Sequence, residues 1–228
     1  MTNRIANISQ SKAAIVVGTA FIISLFLAII VGNFILPNFI NPGDTVALAN
    51  DIKNNETLFH IAVILYLIIL ALDVTIALAL YIVLKPANKI LASLSGIFRL
   101  LYATIAVISV LAIEFQFIDV YSYEIMKLWI GYLFFTCHLF VTGYAVFKSG
   151  YIPRVLGILL IIDSFCYVMA FYVSFLVPEA LLLILMVIMI IGELSLSLWL
   201  LLKGNKISGI NPEDMKKMER KIKLSAIT

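Results

Sequence analysis

Six long apolar runs dominate this chain, each of a length at which a helix crosses a bilayer: Ala13 to Leu36, Leu58 to Leu84, Ile90 to Ile113, Ile125 to Phe147, Ile152 to Val177 and Ala180 to Leu202. A spanning helix needs about 20 predominantly apolar residues. Hydrocarbon offers backbone N–H and C=O groups no partner, so such runs must satisfy their own hydrogen bonds as helices. Composition agrees, with 63% hydrophobic and 13% charged residues against about 45–50% and about 25% in soluble domains. The expected fold is all-α, an integral membrane bundle of six transmembrane helices. The first run is longer than the roughly 7 to 15 residues of a signal-peptide core and no small-residue cleavage pattern follows it, so it is expected to be retained.

Lysine and arginine set the expected orientation. With the N-terminus inside, Arg4, Lys12, Lys85, Lys89, Lys148, Arg154 and the seven basic residues from Lys203 to Lys223 are cytoplasmic, leaving Lys53 and Lys127 outside. N- and C-termini are then both cytoplasmic. The +3 net charge follows from this topology and a basic tail, and no basic-aromatic stripe for nucleic acid is present. Residues 1–205 read as the membrane domain. Residues 206–228 read as a basic cytoplasmic tail in which Asn211-Pro212-Glu213-Asp214 has the form of a helix start, with an amphipathic interfacial helix as one option.

Five of the runs carry an ionisable residue at nearly the same depth. Asp73 lies twelve residues before Lys85, His138 ten before Lys148 and Glu193 ten before Lys203; Arg99 lies ten after Lys89 and Asp163 nine after Arg154. At about 1.5 Å per residue these intervals span roughly 14 to 18 Å, half of a hydrocarbon core about 30 Å thick. Charge at that depth costs at least about 2.5 kcal/mol on insertion scales, so such residues turn inward and mark sites or pathways by default. Three acids face one arginine and one histidine. Either acids hold protons, or His138 is charged, or a bound cation or a water-filled cavity offsets the excess. The alternative is structural: Arg99 pairs with one acid, the others are neutral, and the layer sets helix order.

Neighbours at helical spacing extend the set. Tyr102 lies three after Arg99, Tyr167 four after Asp163, Ser197 four after Glu193, and Tyr66 seven before Asp73, so each can share a face with its charge. They either line a narrow aqueous pocket or hydrogen-bond the buried charges. His138, Asp163, Cys166 and Glu193 are ligand types that zinc accepts. No His-Glu-x-x-His or Cys-x-x-Cys spacing supports a metal, and neither a catalytic set nor a cofactor motif is present. His60, four after Glu56, reads as an interfacial pair.

Two connections stand out. Residues 37–57 hold an Asn41-Pro42-Gly43 turn followed by a short helix from Asp44 through Ile52, either an ordinary outer loop or a lid. The second, fourth and sixth runs all end in an aromatic residue four places before a lysine: Tyr81 to Lys85, Tyr144 to Lys148 and Trp199 to Lys203. Repeated helical hairpins would write that ending, and so would positive-inside bias with an aromatic belt.

Four stretches carry a family resemblance: Leu78-Ala79-Leu80-Tyr81-Ile82-Val83-Leu84-Lys85-Pro86-Ala87-Asn88-Lys89; Phe98-Arg99-Leu100; Lys148-Ser149-Gly150-Tyr151-Ile152-Pro153-Arg154-Val155-Leu156-Gly157; and Gly192-Glu193-Leu194-Ser195-Leu196-Ser197-Leu198-Trp199-Leu200. On these, the chain from about Ser11 to Asn205 resembles the bacterial polytopic membrane proteins grouped as domain of unknown function 4386. The resemblance implies a compact six-helix bundle, places His60 where relatives often carry arginine, and brings no activity to transfer.

The leading functional expectation is binding or transport of a small solute, with proton coupling an open option, in a bacterial cytoplasmic membrane. Arg99 would pair a carboxylate or anionic group, Asp73, Asp163 and Glu193 would take protons or cations, and His138 would relay, with Tyr102, Tyr167 and Ser197 around them. Expected partners are membrane lipid and a small molecule or ion. The alternatives are an intramembrane enzyme acting on a lipid-like substrate and a sensor or accessory subunit.

Overall fold

The computed structural model describes residues 10–35, 39, 45–115, 122, 125–173 and 178–207, and among them every regular element is helical. The helices are α1 (Gln10–Ile30), α2 (Thr45–Asn54), α3 (Glu56–Leu84), α4 (Lys89–Glu114), α5 (Tyr132–Ser149), α6 (Arg154–Tyr172) and α7 (Glu179–Lys203). Wider π-helical turns extend α1 through Val31–Ile35 and lead into α5 through Ile125–Gly131. Six of these helices, all but α2, are long and apolar enough to cross a membrane.

Several helix ends have a local cause. The Asn88 side chain accepts from the backbone N–H groups of Ile90 and Leu91, both at 3.0 Å, and so caps the start of α4. Gly150 closes α5 in the left-handed region at φ 75°. Pro153 follows with extended backbone, which starts α6 at Arg154 rather than at the expected Ile152. The α6 helix closes at Tyr172, short of the expected Val177, and residues 174–177 lie outside the described set. The short helix expected in the 37–57 connection is α2, and its expected cap Asp44 lies outside the described residues, as does the Asn41-Pro42-Gly43 turn. Phe39, Ile52, Leu58 and Phe59 gather with Val31, Ile35 and Ala62 in a small apolar cluster of their own.

The six spanning helices form a closed ring. α1 packs on α3, α3 on α4, α4 on α5, α5 on α6, α6 on α7, and α7 returns to α1. Lys85, Lys89, Lys148, Arg154 and Lys203 mark one end of this ring, here the basic end, while α2, Glu56 and Glu114 lie at the far end. Large apolar side chains such as Phe26, Ile64, Ile97, Phe165 and Leu183 point outward, as hydrocarbon-facing surface should. Small residues set the seams, because lipid provides no hydrophobic drive between helices and association rests on close packing. A Cβ at Gly143 would stand 2.7 Å from the Gly157 carbonyl oxygen, and one at Gly157 would stand 2.6 Å from that of Gly143. Only glycine lets α5 and α6 approach so closely there.

The basic end is tied by hydrogen bonds. Gln10 Nε2 and Tyr151 Oη both donate to the Val83 carbonyl, at 2.8 and 2.6 Å, which satisfies one of the carbonyls left open at the end of α3. Beyond α7, a 3-10 turn over Gly204–Ile207 folds back on α1: Ile207 is buried and Ser11 Oγ donates to Asn205 Oδ1. Packing thus continues through Ile207, and the helix expected from Asn211 lies outside the described residues. The Lys85 and Lys148 ammonium groups each stand 5.7 Å over the ring of the aromatic residue four places earlier, Tyr81 and Tyr144. At the far end, His60 Nδ1 lies 2.6 Å from Glu114 on α4, closer than the 3.6 Å from Nε2 to the expected partner Glu56.

Candidate functional site

The midplane residues meet inside the ring, in two arrangements. On α3, α4 and α5 they form a continuous hydrogen-bonded chain. Arg99 donates from Nε and Nη2 to Asp73 Oδ1, the former at 3.1 Å, and its Nη1 lies 3.0 Å from His138 Nε2. A guanidinium has donors only, so Nε2 is the acceptor and the imidazole proton sits on Nδ1. Nδ1 then donates to the Ser95 carbonyl at 2.8 Å. Ser95 Oγ and Thr142 Oγ1 pair at 2.7 Å and both lie near Nδ1. His138 is therefore a neutral imidazole that holds Arg99 in place, with both nitrogens engaged. Of the three ways to offset the midplane charge, a charged His138 does not match this geometry.

Ser95 and Thr142 were not singled out from the sequence, although the signal was there. Ser95 lies four before Arg99 and Thr142 four after His138, the same spacing that selected Tyr167 and Ser197.

On α6 and α7 the arrangement is sparser. Tyr167 Oη donates to Glu193 Oε1 at 3.2 Å, rather than serving Asp163 on its own helix. Helical side chains lean toward the N-terminus, which brings the long phenol back to the level of the neighbouring helix's carboxylate. Asp163 instead points at α7, where it meets the backbone of Gly192.

Arg99, His138, Thr142, Glu193 and Ser197 line a cavity of about 20 Å³ to which all six spanning helices contribute, α1 through Val17 and Phe21, α3 through Ile76 and Leu80, and α6 through Leu160. That is room for about one water molecule or a bare ion. Glu193 is half-buried in its wall, while Asp73, Arg99, His138 and Ser197 are buried. On the far side of the layer an aromatic cluster fills the ring. Tyr102 stacks on Tyr132 with centroids 6.0 Å apart, Tyr132 on Phe171 at 4.3 Å, and Phe135 meets both Tyr102 and Tyr167. Phe135 also faces the Arg99 guanidinium at 5.4 Å. Tyr102 therefore belongs to the aromatic plug rather than to the cavity wall, and Tyr66 packs half-buried against the same core. A larger open hollow of about 490 Å³ beside Lys53, Asn54 and Glu56 lies at the α2–α3 junction, away from these groups.

Of the eight residues named from sequence, Arg99 bonds both Asp73 and His138, Glu193 and Ser197 share the cavity with Arg99 and His138, Tyr167 reaches Glu193, Tyr102 roofs the layer, and Asp163 stands outside the cavity lining. Among the described residues no three His, Cys, Asp or Glu side chains are grouped closely enough to share a metal ion.

A family model described as "Domain of unknown function (DUF4386)" matches residues 16–116 and 112–204. A protein of Archaeoglobus fulgidus described as uncharacterized is 36% identical over 144 residues, which cover 63% of this chain and 83% of that protein. No solved structure matches.

Proposed function

The chain belongs to the family described as Domain of unknown function (DUF4386), and we propose that within it this protein binds a small anionic solute or ion at the bilayer midplane and moves it across the membrane in a proton-linked way. The observation that carries this reading is Arg99, held between Asp73 and His138, facing the same central cavity as Glu193. Arg99 still has N–H groups beyond those given to Asp73 and His138, and Ser197 and Thr142 add hydroxyls, a donor set suited to a carboxylate or a smaller anion. Glu193 is the exchangeable acid opposite it. At about 20 Å³ the cavity admits a water or an ion, so a larger solute enters only as helices part.

In the same reading the basic end faces the cytoplasm, with both termini there, and the protein resides in the cytoplasmic membrane surrounded by lipid. The test is reconstitution into liposomes with an entrapped pH dye, challenged with a panel of small carboxylates and inorganic anions. A responding anion is expected to drive acidification in the wild type and to lose it in Glu193→Gln of unchanged monodispersity. If no anion in the panel shifts either the dye signal or thermal stability, or if Glu193→Gln transports like wild type, the reading is wrong.

A further inference from the structure

Asp163 takes no part in the cavity and is not explained by it. Its side chain is 0% exposed, and neither carboxyl oxygen has a hydrogen-bond partner among the described residues. It occupies a recess made by the absence of a side chain on α7: a Cβ at Gly192 would stand 2.8 Å from Asp163 Oδ2 and 3.0 Å from Cγ. The residue after that glycine is Glu193, the cavity acid.

The groups around Asp163 narrow what it can be. From α7 the facing ionisable group is Glu193, and on its own helix they are Cys166 and Tyr167, whose phenol is given to Glu193. On α5, His138 is committed to Arg99 and Ser95, and Cys137 lies toward Tyr172. The turn Ile125–Gly131 meets α6 near its far end, where Tyr172 Oη donates to the Trp129 carbonyl. Among the described residues no cation pairs with Asp163, and Arg99 pairs with Asp73. An ionised carboxylate without donors or a cation bears its full desolvation cost, which a neutral acid largely escapes.

We propose that Asp163 is a proton-binding site distinct from the cavity, holding one proton as a neutral carboxylic acid and exchanging it through Glu193. In the exchange Glu193 swings into hydrogen-bonding reach of Asp163, the O–H bond of Asp163 breaks, a Glu193 carboxylate oxygen takes the proton, and Glu193 in turn releases it to water in the cavity beside Arg99. The negative charge moves the opposite way, from Glu193 to Asp163, and returns when the proton does. The two acids share one labile proton across the α6–α7 seam, and Gly192 brings them together. A role for this proton in transport rests on the solute reading above, whereas its presence on Asp163 does not.

Infrared spectroscopy of the full chain in lipid reads the carboxyl directly. At neutral pH, a protonated-carboxyl C=O band is expected that shifts on ¹³C-aspartate labelling, disappears in Asp163→Asn and persists in Glu193→Gln. Transfer into D2O should shift the band in the wild type, and Glu193→Gln should slow that exchange. Absence of a labelled protonated-aspartate band in the native protein, or its survival in Asp163→Asn, overturns the site. Equal exchange rates in wild type and Glu193→Gln overturn the route. Should Asp163→Asn fail to fold, the labelled native protein decides alone: Asp73 is paired with Arg99, Asp51 lies outside the spanning helices, and Asp44, Asp119 and Asp214 fall outside the six apolar runs of the sequence. A labelled band in a protein that transports nothing would keep the proton site and discard the solute reading.

Discussion

The α3–α4–α5 side of the ring and the α6–α7 side bury charge at the same depth by opposite means. On the first, Asp73, Arg99, His138, Ser95 and Thr142 form one connected hydrogen-bonded set. On the second, Glu193 has one hydrogen bond from Tyr167 and Asp163 has none among the described residues. A satisfied buried network holds helices in register and resists change. A carboxyl left without partners contributes little to stability, and its presence calls for a role other than packing. The difference separates a connected hydrogen-bonded set, to which the proposed anion ligand Arg99 belongs, from a sparsely bonded pair of acids within a single layer of residues.

The comparison breaks if the two sides respond alike to losing a charge. Arg99→Leu strands Asp73 as a buried unpaired acid and is expected to cost about 3–5 kcal/mol. Asp163→Val, which removes an unpartnered polar group, should leave stability unchanged or raise it. Thermal and denaturant unfolding in detergent reads both, and comparable losses would show that Asp163 has a structural partner after all. Gly192→Ala probes the recess itself. The added methyl meets both the Asp163 carboxyl and its Cβ, the latter at 2.9 Å, at an expected cost of about 1–3 kcal/mol, and the double change with Asp163→Ala, which keeps that Cβ, should restore only part of it.

Smaller effects come from the ends of α3, where the polar contacts are outside the layer and serve as its controls. Tyr151→Phe removes the phenol donor to the Val83 carbonyl and should cost about 1 kcal/mol. Burial first of all holds the Tyr151 phenol above the ordinary tyrosine range. Its contribution is therefore complete below about pH 10, the unfolded value, and is lost as the pH climbs toward the folded one. The Tyr151→Phe protein should lack that alkaline loss in unfolding measured against pH. His60→Ala, which breaks a half-exposed contact with Glu114, should change stability by no more than about 1 kcal/mol in the same assay.

Much of this was legible in the residues themselves. Asn88 announces the start of α4 and Gly150 with Pro153 the α5–α6 turn, because caps and turns are local. Asp73, Arg99, His138, Asp163 and Glu193 were placed at one level by counting residues from the basic end. The partner of each was not legible. Tyr167 shares a helix with Asp163 but bonds Glu193, and His60 pairs more closely with Glu114, fifty-four residues away, than with Glu56, four away. Ser95 and Thr142 matter because α4 and α5 turn those faces toward each other, which spacing along one helix only suggests.

What the chain determined alone is its apolar character, its six helices long enough to cross a membrane and the common level of Asp73, Arg99, His138, Asp163 and Glu193 along them, because helical rise converts residue counts directly into distance. What tertiary structure decided is which charges are paired. Helix rotation and seam width are set by through-space packing, down to a missing side chain at Gly192. These turned Asp73 toward Arg99 and left Asp163 facing bare backbone.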